Sequence, residues 1–172
     1  KIFAPATVAN VSCGFDSLGF AVDTIGDEMT FTKTSKKGVK ITNITGADLP
    51  YDVDKNAASA VIKKILLDAK ADFGIALTIH KGFSPGSGLG SSAASAAGAA
   101  FGVNQFLADK YSNLELTKFA MFGEEVACGS AIADNVAAAI YGGFVLVRSY
   151  EPLEIIKLPV PEALRVVAIH PQ

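Results

Sequence analysis

Lys81-Gly82-Phe83-Ser84-Pro85-Gly86-Ser87-Gly88-Leu89-Gly90-Ser91-Ser92-Ala93-Ala94-Ser95, residues 81–95, is the stretch from which the rest of the chain is best read. Glycines at alternate positions let the backbone enter the left-handed region and bring N–H groups against a ligand with no Cβ in the way. The small-residue run from Ser91 to Ala108 predicts a helix that opens directly after the loop. The unpaired N–H groups of its first turn and the positive end of its dipole then converge on the loop. Such a junction is an anion site, and phosphate is its usual occupant. Ser91 and Ser92 either cap the helix or offer a hydroxyl to a phosphate-bound Mg²⁺.

Three familiar glycine loops fit poorly. A Walker A loop needs lysine after its last glycine, and Gly90 is followed by serine. A dinucleotide fingerprint spaces its third glycine one residue further on. A protein-kinase glycine loop joins two strands, whereas this one opens a helix. The bland alternative is a serine-capped turn that packs an Ala-rich helix against a sheet.

Working outward, Lys1 to Val11 reads as a strand that runs into a small-residue turn, Ser12 to Gly19. Phe20 to Val22, Glu28 to Thr34, Lys40 to Thr45 and Ile75 to His80 read as further strands. Apolar residues at Ala57, Ala60, Val61, Ile65 and Leu66 predict a helix over Asn56 to Ala69. Helical patterns also cover Leu114 to Ala127 and Asp134 to Tyr141, the latter stopped by Gly142-Gly143. Strands are expected at Phe144 to Ser149, Glu154 to Leu158 and Leu164 to His170. Strands, then helices, then strands argue an α+β fold rather than a doubly wound parallel sheet.

The chain has 172 residues, of which half are hydrophobic, and a net charge of −2. That is enough to bury a core. Lysines are scattered, which gives no electrostatic case for nucleic acid or a membrane surface. No apolar run is long enough to span a bilayer. Cys13 and Cys128 lack metal-ligand spacing and cannot make a disulfide framework; each reads as a small buried hydrophobe, in keeping with a reducing cytoplasm. His80 and His170 read as structural or solvent-facing, and nothing in the spacing of Lys81 or Lys118 ties them to a phosphate.

Pro85-Gly86-Ser87-Gly88-Leu89-Gly90-Ser91-Ser92-Ala93-Ala94 resembles the phosphate-binding motif of the GHMP kinases, the family of galactokinase, homoserine kinase, mevalonate kinase and phosphomevalonate kinase. Two further stretches are similar to the homoserine kinase branch. One runs from Ala4 through Asn10, Val11, Ser12, Cys13, Gly14, Phe15 and Asp16 to Gly19; the other runs from Gly123 to Phe144. The resemblance implies a ribosomal protein S5 domain 2-like N-terminal ATP-binding domain over residues 1–160. Residues 161–172 would then begin a C-terminal ferredoxin-like domain that is otherwise missing. It also implies transfer of phosphate from ATP to the hydroxyl of L-homoserine, a step of threonine biosynthesis, in a cytoplasmic enzyme that forms a homodimer.

By the same resemblance the ATP phosphates lie on Pro85, Gly86, Ser87, Gly88, Leu89, Gly90, Ser91 and Ser92, with Ser92 and Glu124 as Mg²⁺ ligands. Glu125 competes with Glu124 for that role. Asn10 and Asp16 match substrate-contacting residues, since an amide and a carboxylate can hold an α-ammonium group and a hydroxyl; both are also turn formers beside Gly14. Asp134 and Asn135 are the catalytic candidates. Asp134 either accepts the substrate's hydroxyl proton or caps its helix. One position departs from the branch: histidine is expected where this chain has Ile132, which cannot hydrogen-bond. That departure leaves open a different small alcohol as substrate, or a relative that binds without turnover.

Overall fold

The computed structural model describes residues 1–167. β1 (Ile2–Val11) and β2 (Gly14–Thr34) form an antiparallel hairpin closed by Ser12-Cys13, with Val11 opposite Gly14 and Ile2 opposite Met29. The sequence predicts a longer turn and two short strands here; instead one strand of 21 residues runs through. Register slips between Pro5 and Thr7 and between Ala9 and Val11. Such irregularities bend and twist a strand, so one strand can serve different partners along its length. Leu18–Phe20 of β2 pair with β5 (Phe144–Tyr150), and Glu28–Thr34 pair with β4 (Gly74–His80).

With β3 at Gly38–Thr45 and β6 at Leu153–Leu158, the six-stranded sheet runs β3-β4-β2-β5-β6, with β1 paired to β2 off that path. β3 and β4 are parallel, joined by α1 (Ala57–Asp68), as a parallel pair requires a crossover. Every other pairing is antiparallel. The mixed sheet with its helices is the expected α+β architecture.

Local chemistry sets the helix ends. Asn56 caps α1 through its amide oxygen, which accepts from the Ala58 and Ser59 N–H groups. Ser112 and Glu115 form a reciprocal capping box that starts α3 (Asn113–Cys128). α2 (Ser91–Gln105) stops three residues before the expected Ala108, because Ala108 and Asp109 take left-handed φ values. α4 is Asp134–Tyr141, as its pattern predicts.

Met29, Ile62, Ile65, Leu77, Ile79 and Val103 are fully buried between sheet and helices. α2 runs through the middle of this core with alanine and glycine on most faces, which explains its lack of an amphipathic stripe. Gly98 shows why the residues are small: a Cβ there would lie 2.7 Å from the Ala4 methyl and 2.8 Å from the Met29 sulfur. Close packing of α2 on β1 and β2 is therefore written into its composition.

Two expectations need correction. No strand covers Leu164–Val167: these residues form no ladder, and the Leu164 N–H closes a turn on the Pro161 carbonyl. Pro159 and Pro161 lack the N–H groups that would extend a ladder beyond β6. The remainder of that predicted strand, including His170, lies outside the described residues. Cys13 and Cys128 are not buried; both thiols are free and exposed. Among the described residues, no helix is long and apolar enough to cross a membrane.

Candidate active site

Gly86, Gly88 and Gly90 all take positive φ, at 78°, 75° and 65°. At Gly86 and Gly88 no atom lies near the position a Cβ would fill, so those glycines serve backbone conformation alone. Gly90 is different. A Cβ there would overlap the Thr7 hydroxyl and fall 2.8 Å from Asn135 Oδ1. Gly90 is itself the N-cap of α2, with no side-chain cap, so neither Ser91 nor Ser92 caps the helix. Both serines sit inside the first turn, and its N–H groups remain free for an anion.

The loop is tied down at both ends. The Thr7 N–H of β1 donates to the Leu89 carbonyl at 2.9 Å, and the Thr7 hydroxyl donates to Asn135 Oδ1 at 2.8 Å. At the other end lies a buried ion pair between Lys81 and Asp27, 3% and 0% exposed. Lys81 Nζ also donates to the Ser91 carbonyl at 2.9 Å and to Ser95 Oγ at 3.0 Å. Asp27 in turn accepts from the Gly82 N–H and from Ser95 Oγ. All three Nζ protons are thereby spent, so Lys81 clamps the loop to the helix rather than offering itself to a phosphate. Burial pushes the Asp27 carboxyl up and the Lys81 ammonium down, while their mutual attraction opposes both.

Above the loop opens a cavity of about 640 Å³. Its wall carries Pro85, Gly86, Gly88, Gly90, Ser91 and Ser92 from the loop and helix, with Glu124 of α3, Asn135 of α4 and Asn10 of β1. Leu49, Pro50, Lys55 and Asn56 close its far side. Ser87, Leu89, Asp16 and Asp134 are not on this wall. Lys118 is exposed and away from it; His80 is exposed and pairs through Nδ1 with Thr45 Oγ1.

Glu124 is 8% exposed, and its Oε1 has no hydrogen-bond partner. Burial pushes its carboxyl up, the nearby Ser92 hydroxyl draws it back, and Asp134 adds to the rise. Glu125, by contrast, is exposed and off the wall. A buried carboxylate with an orphaned oxygen, beside a serine hydroxyl in the first turn of α2, is a donor set that suits a hard cation. Two protein ligands are few, and among the described residues no group of three acidic, His or Cys side chains converges. That number still fits Mg²⁺, which keeps several waters and takes phosphate oxygens.

Asp134 is 2% exposed and is the first residue of α4; the N-cap is Ala133. Asp134 Oδ1 accepts the Asn135 N–H at 2.7 Å, so it serves the helix start from within rather than as its cap. Burial pushes its carboxyl up, two bonds from Asn135 hold it down, and Asp16 raises it further. Asn10 and Asp16 come together: Asn10 Oδ1 accepts the Asp16 N–H at 2.9 Å, and both residues take positive φ. Asp16 also receives the Tyr150 hydroxyl on its carbonyl. Thr7, Asp27 and Tyr150 had no sequence signal, because their partners lie far away along the chain.

The profile of the GHMP kinases N terminal domain matches residues 55–143, more than half of the chain. The chain belongs to the GHMP kinase family. A homoserine kinase of Methanococcus vannielii is 47% identical over 162 residues, covering 93% of this chain and 54% of that protein. One of Chlorobium phaeobacteroides is 48% identical over 181 residues, covering 98% and 57%. The crystal structure of homoserine kinase from Cytophaga hutchinsonii superposes with a TM-score of 0.87 at 56% identity, over 92% of this chain and 51% of that one. The mevalonate kinase of L. major, solved with R-mevalonate, shares the fold at a TM-score of 0.68 and 17% identity. This GHMP kinase chain spans about half the length of the relatives it matches.

Proposed function

We propose that the protein transfers the γ-phosphoryl group of ATP to the side-chain hydroxyl of L-homoserine. The hydroxyl oxygen forms the new P–O bond, the bond to the β–γ bridging oxygen breaks, the hydroxyl proton passes to solvent, and ADP and O-phospho-L-homoserine leave. The observation that carries this reading is the cavity joining the Gly86–Ser92 loop and helix N-terminus to Asn10 near the end of β1. The 56% identity to a homoserine kinase of known structure supports the choice of acceptor.

In this reading the loop N–H groups and the α2 N-terminus hold the phosphates. Ser92 and Glu124 would hold Mg²⁺, which when bound neutralises charge on the β- and γ-phosphates. Asn10 orients the amino acid, and the Asp16 carboxylate pairs with its α-ammonium group. Positioning and charge stabilisation supply most of the rate in phosphoryl transfer. Asp134 is held off the cavity wall and acts by orienting Asn135 beside Gly90, rather than as an obligatory base. A homodimer in the cytoplasm, acting on a small molecule, is the assembly that membership of the GHMP kinase family suggests for this reading.

Ile132 supports a second reading, a different small alcohol as acceptor. It is half-buried, off the cavity wall, and cannot hydrogen-bond. ADP release by the full-length protein, measured with L-homoserine, mevalonate and simple sugars and repeated with Ile132→His, separates the readings. Turnover with L-homoserine by the native form supports the first. Turnover with another acceptor alone supports the second, and ATP binding with no turnover by either form marks a binding-only relative.

A further inference from the structure

Tyr150 ends β5 with its phenol OH between two backbone groups, one from the β1–β2 hairpin and one from the start of α4. It donates to the Asp16 carbonyl at 2.7 Å and accepts the Ala133 N–H at 3.2 Å. Asp16 sits at φ 53° near the start of β2, at a hairpin end where Asn10 and Ser12 are also left-handed, at 57° and 54°. Non-glycine residues hold that conformation where surrounding contacts over-determine it. Here the contacts are two. Asn10 Oδ1 takes the Asp16 N–H, and the Tyr150 hydroxyl takes its carbonyl. The Asp16 carboxylate is exposed and accepts no hydrogen bond among the described residues. Ala133 immediately precedes Asp134 and Asn135, so the same hydroxyl joins the turn to the start of α4 beside the phosphate loop.

We propose that Tyr150 is a positioning residue for the acceptor: its hydroxyl fixes the Asp16 turn against the N-terminus of α4 and so sets where the acceptor's ammonium group sits relative to the phosphates. This rests on the acceptor role given to Asp16 above. Tyr150→Phe keeps the ring and removes both bonds. Loss of one net hydrogen bond is worth roughly a three- to tenfold change. In the full-length protein the KM for L-homoserine should therefore rise by about that factor, with the KM for ATP unchanged. Amide hydrogen exchange over residues 10–19 should quicken by a similar factor, while exchange within α2 stays as in the native form.

An unchanged homoserine KM together with native exchange in the turn overturns the proposal. Equal rises in both KM values with a general rise in exchange also overturn it, because they mark lost stability rather than lost positioning. If the native protein does not phosphorylate L-homoserine, the acceptor reading fails on its own; the exchange of residues 10–19 in Tyr150→Phe then decides whether the hydroxyl holds the turn.

Discussion

The Thr7 hydroxyl donates to Asn135 Oδ1 across 2.8 Å, and Gly90 fits directly against the pair. β1, α4 and the glycine loop thus meet at one hydrogen bond. The bond leaves room for a hydrogen at Gly90 Cα and for nothing larger.

Gly90→Ala should therefore be far worse than Gly86→Ala. Both force alanine into the left-handed region, at about 1–2 kcal/mol. Only the first also drives a methyl group into Thr7 and Asn135. Urea unfolding should show Gly86→Ala losing about that strain alone, and Gly90→Ala losing about 3 kcal/mol or more, with ATP affinity collapsing. Equal losses would contradict the packing described.

The Lys81–Asp27 pair predicts non-additivity. Asp27→Asn or Lys81→Met alone leaves a buried charge without its partner and should cost about 3–5 kcal/mol. The double variant removes both charges and should cost less than the sum of the two, as a double-mutant cycle in urea would show. Additive losses would mean that the pair does not form.

Glu124 predicts a pH dependence whose sign can be worked out. Its folded-state carboxyl is raised by burial, so between the ordinary carboxylate range and that raised value the folded state binds more protons than the unfolded one. Stability of the ligand-free protein should fall as pH climbs through this window, from about pH 4 upward. Glu124→Gln should flatten that slope and stabilise the ligand-free form at neutral pH. MgATP binding should run the other way, strengthening as the carboxylate ionises. Urea titrations at several pH values test the first, and calorimetry in two buffers of different ionisation heat tests the second through proton release. A stability slope that Glu124→Gln does not alter would contradict the burial argument.

What could be read in the sequence was local. Alternate glycines before a small-residue helix give a left-handed loop feeding a helix N-terminus, because both are encoded within ten residues. Gly86, Gly90, Ser92, Glu124, Asn10 and Asn135 line one cavity, whereas Ser87, Leu89, Asp16 and Asp134 do not. The devices that hold the loop were not legible. Lys81 and Asp27 are 54 residues apart, Thr7 and Asn135 128, and Tyr150 and Asp16 134. No periodicity links such residues; the sheet order brings them together. β2 is continuous where the pattern suggests a turn and two short strands; its Gly19 and Gly26 are places where the backbone of a neighbour passes close. The helix-capping role offered to Ser91 and Ser92 failed because Gly90, already left-handed, takes the N-cap itself.

The central claim is that the cavity over Gly86–Ser92 holds MgATP, with Glu124 reaching the metal. Titration of ATP into the full-length protein, with Mg²⁺ and then with EDTA, for the native form and for Glu124→Gln, tests it most directly. The account predicts saturable binding by the native protein that weakens when Mg²⁺ is removed, and a Glu124→Gln variant that still binds ATP but has lost most of the Mg²⁺ effect. Absence of ATP binding, or an Mg²⁺ effect undiminished in Glu124→Gln, would contradict it.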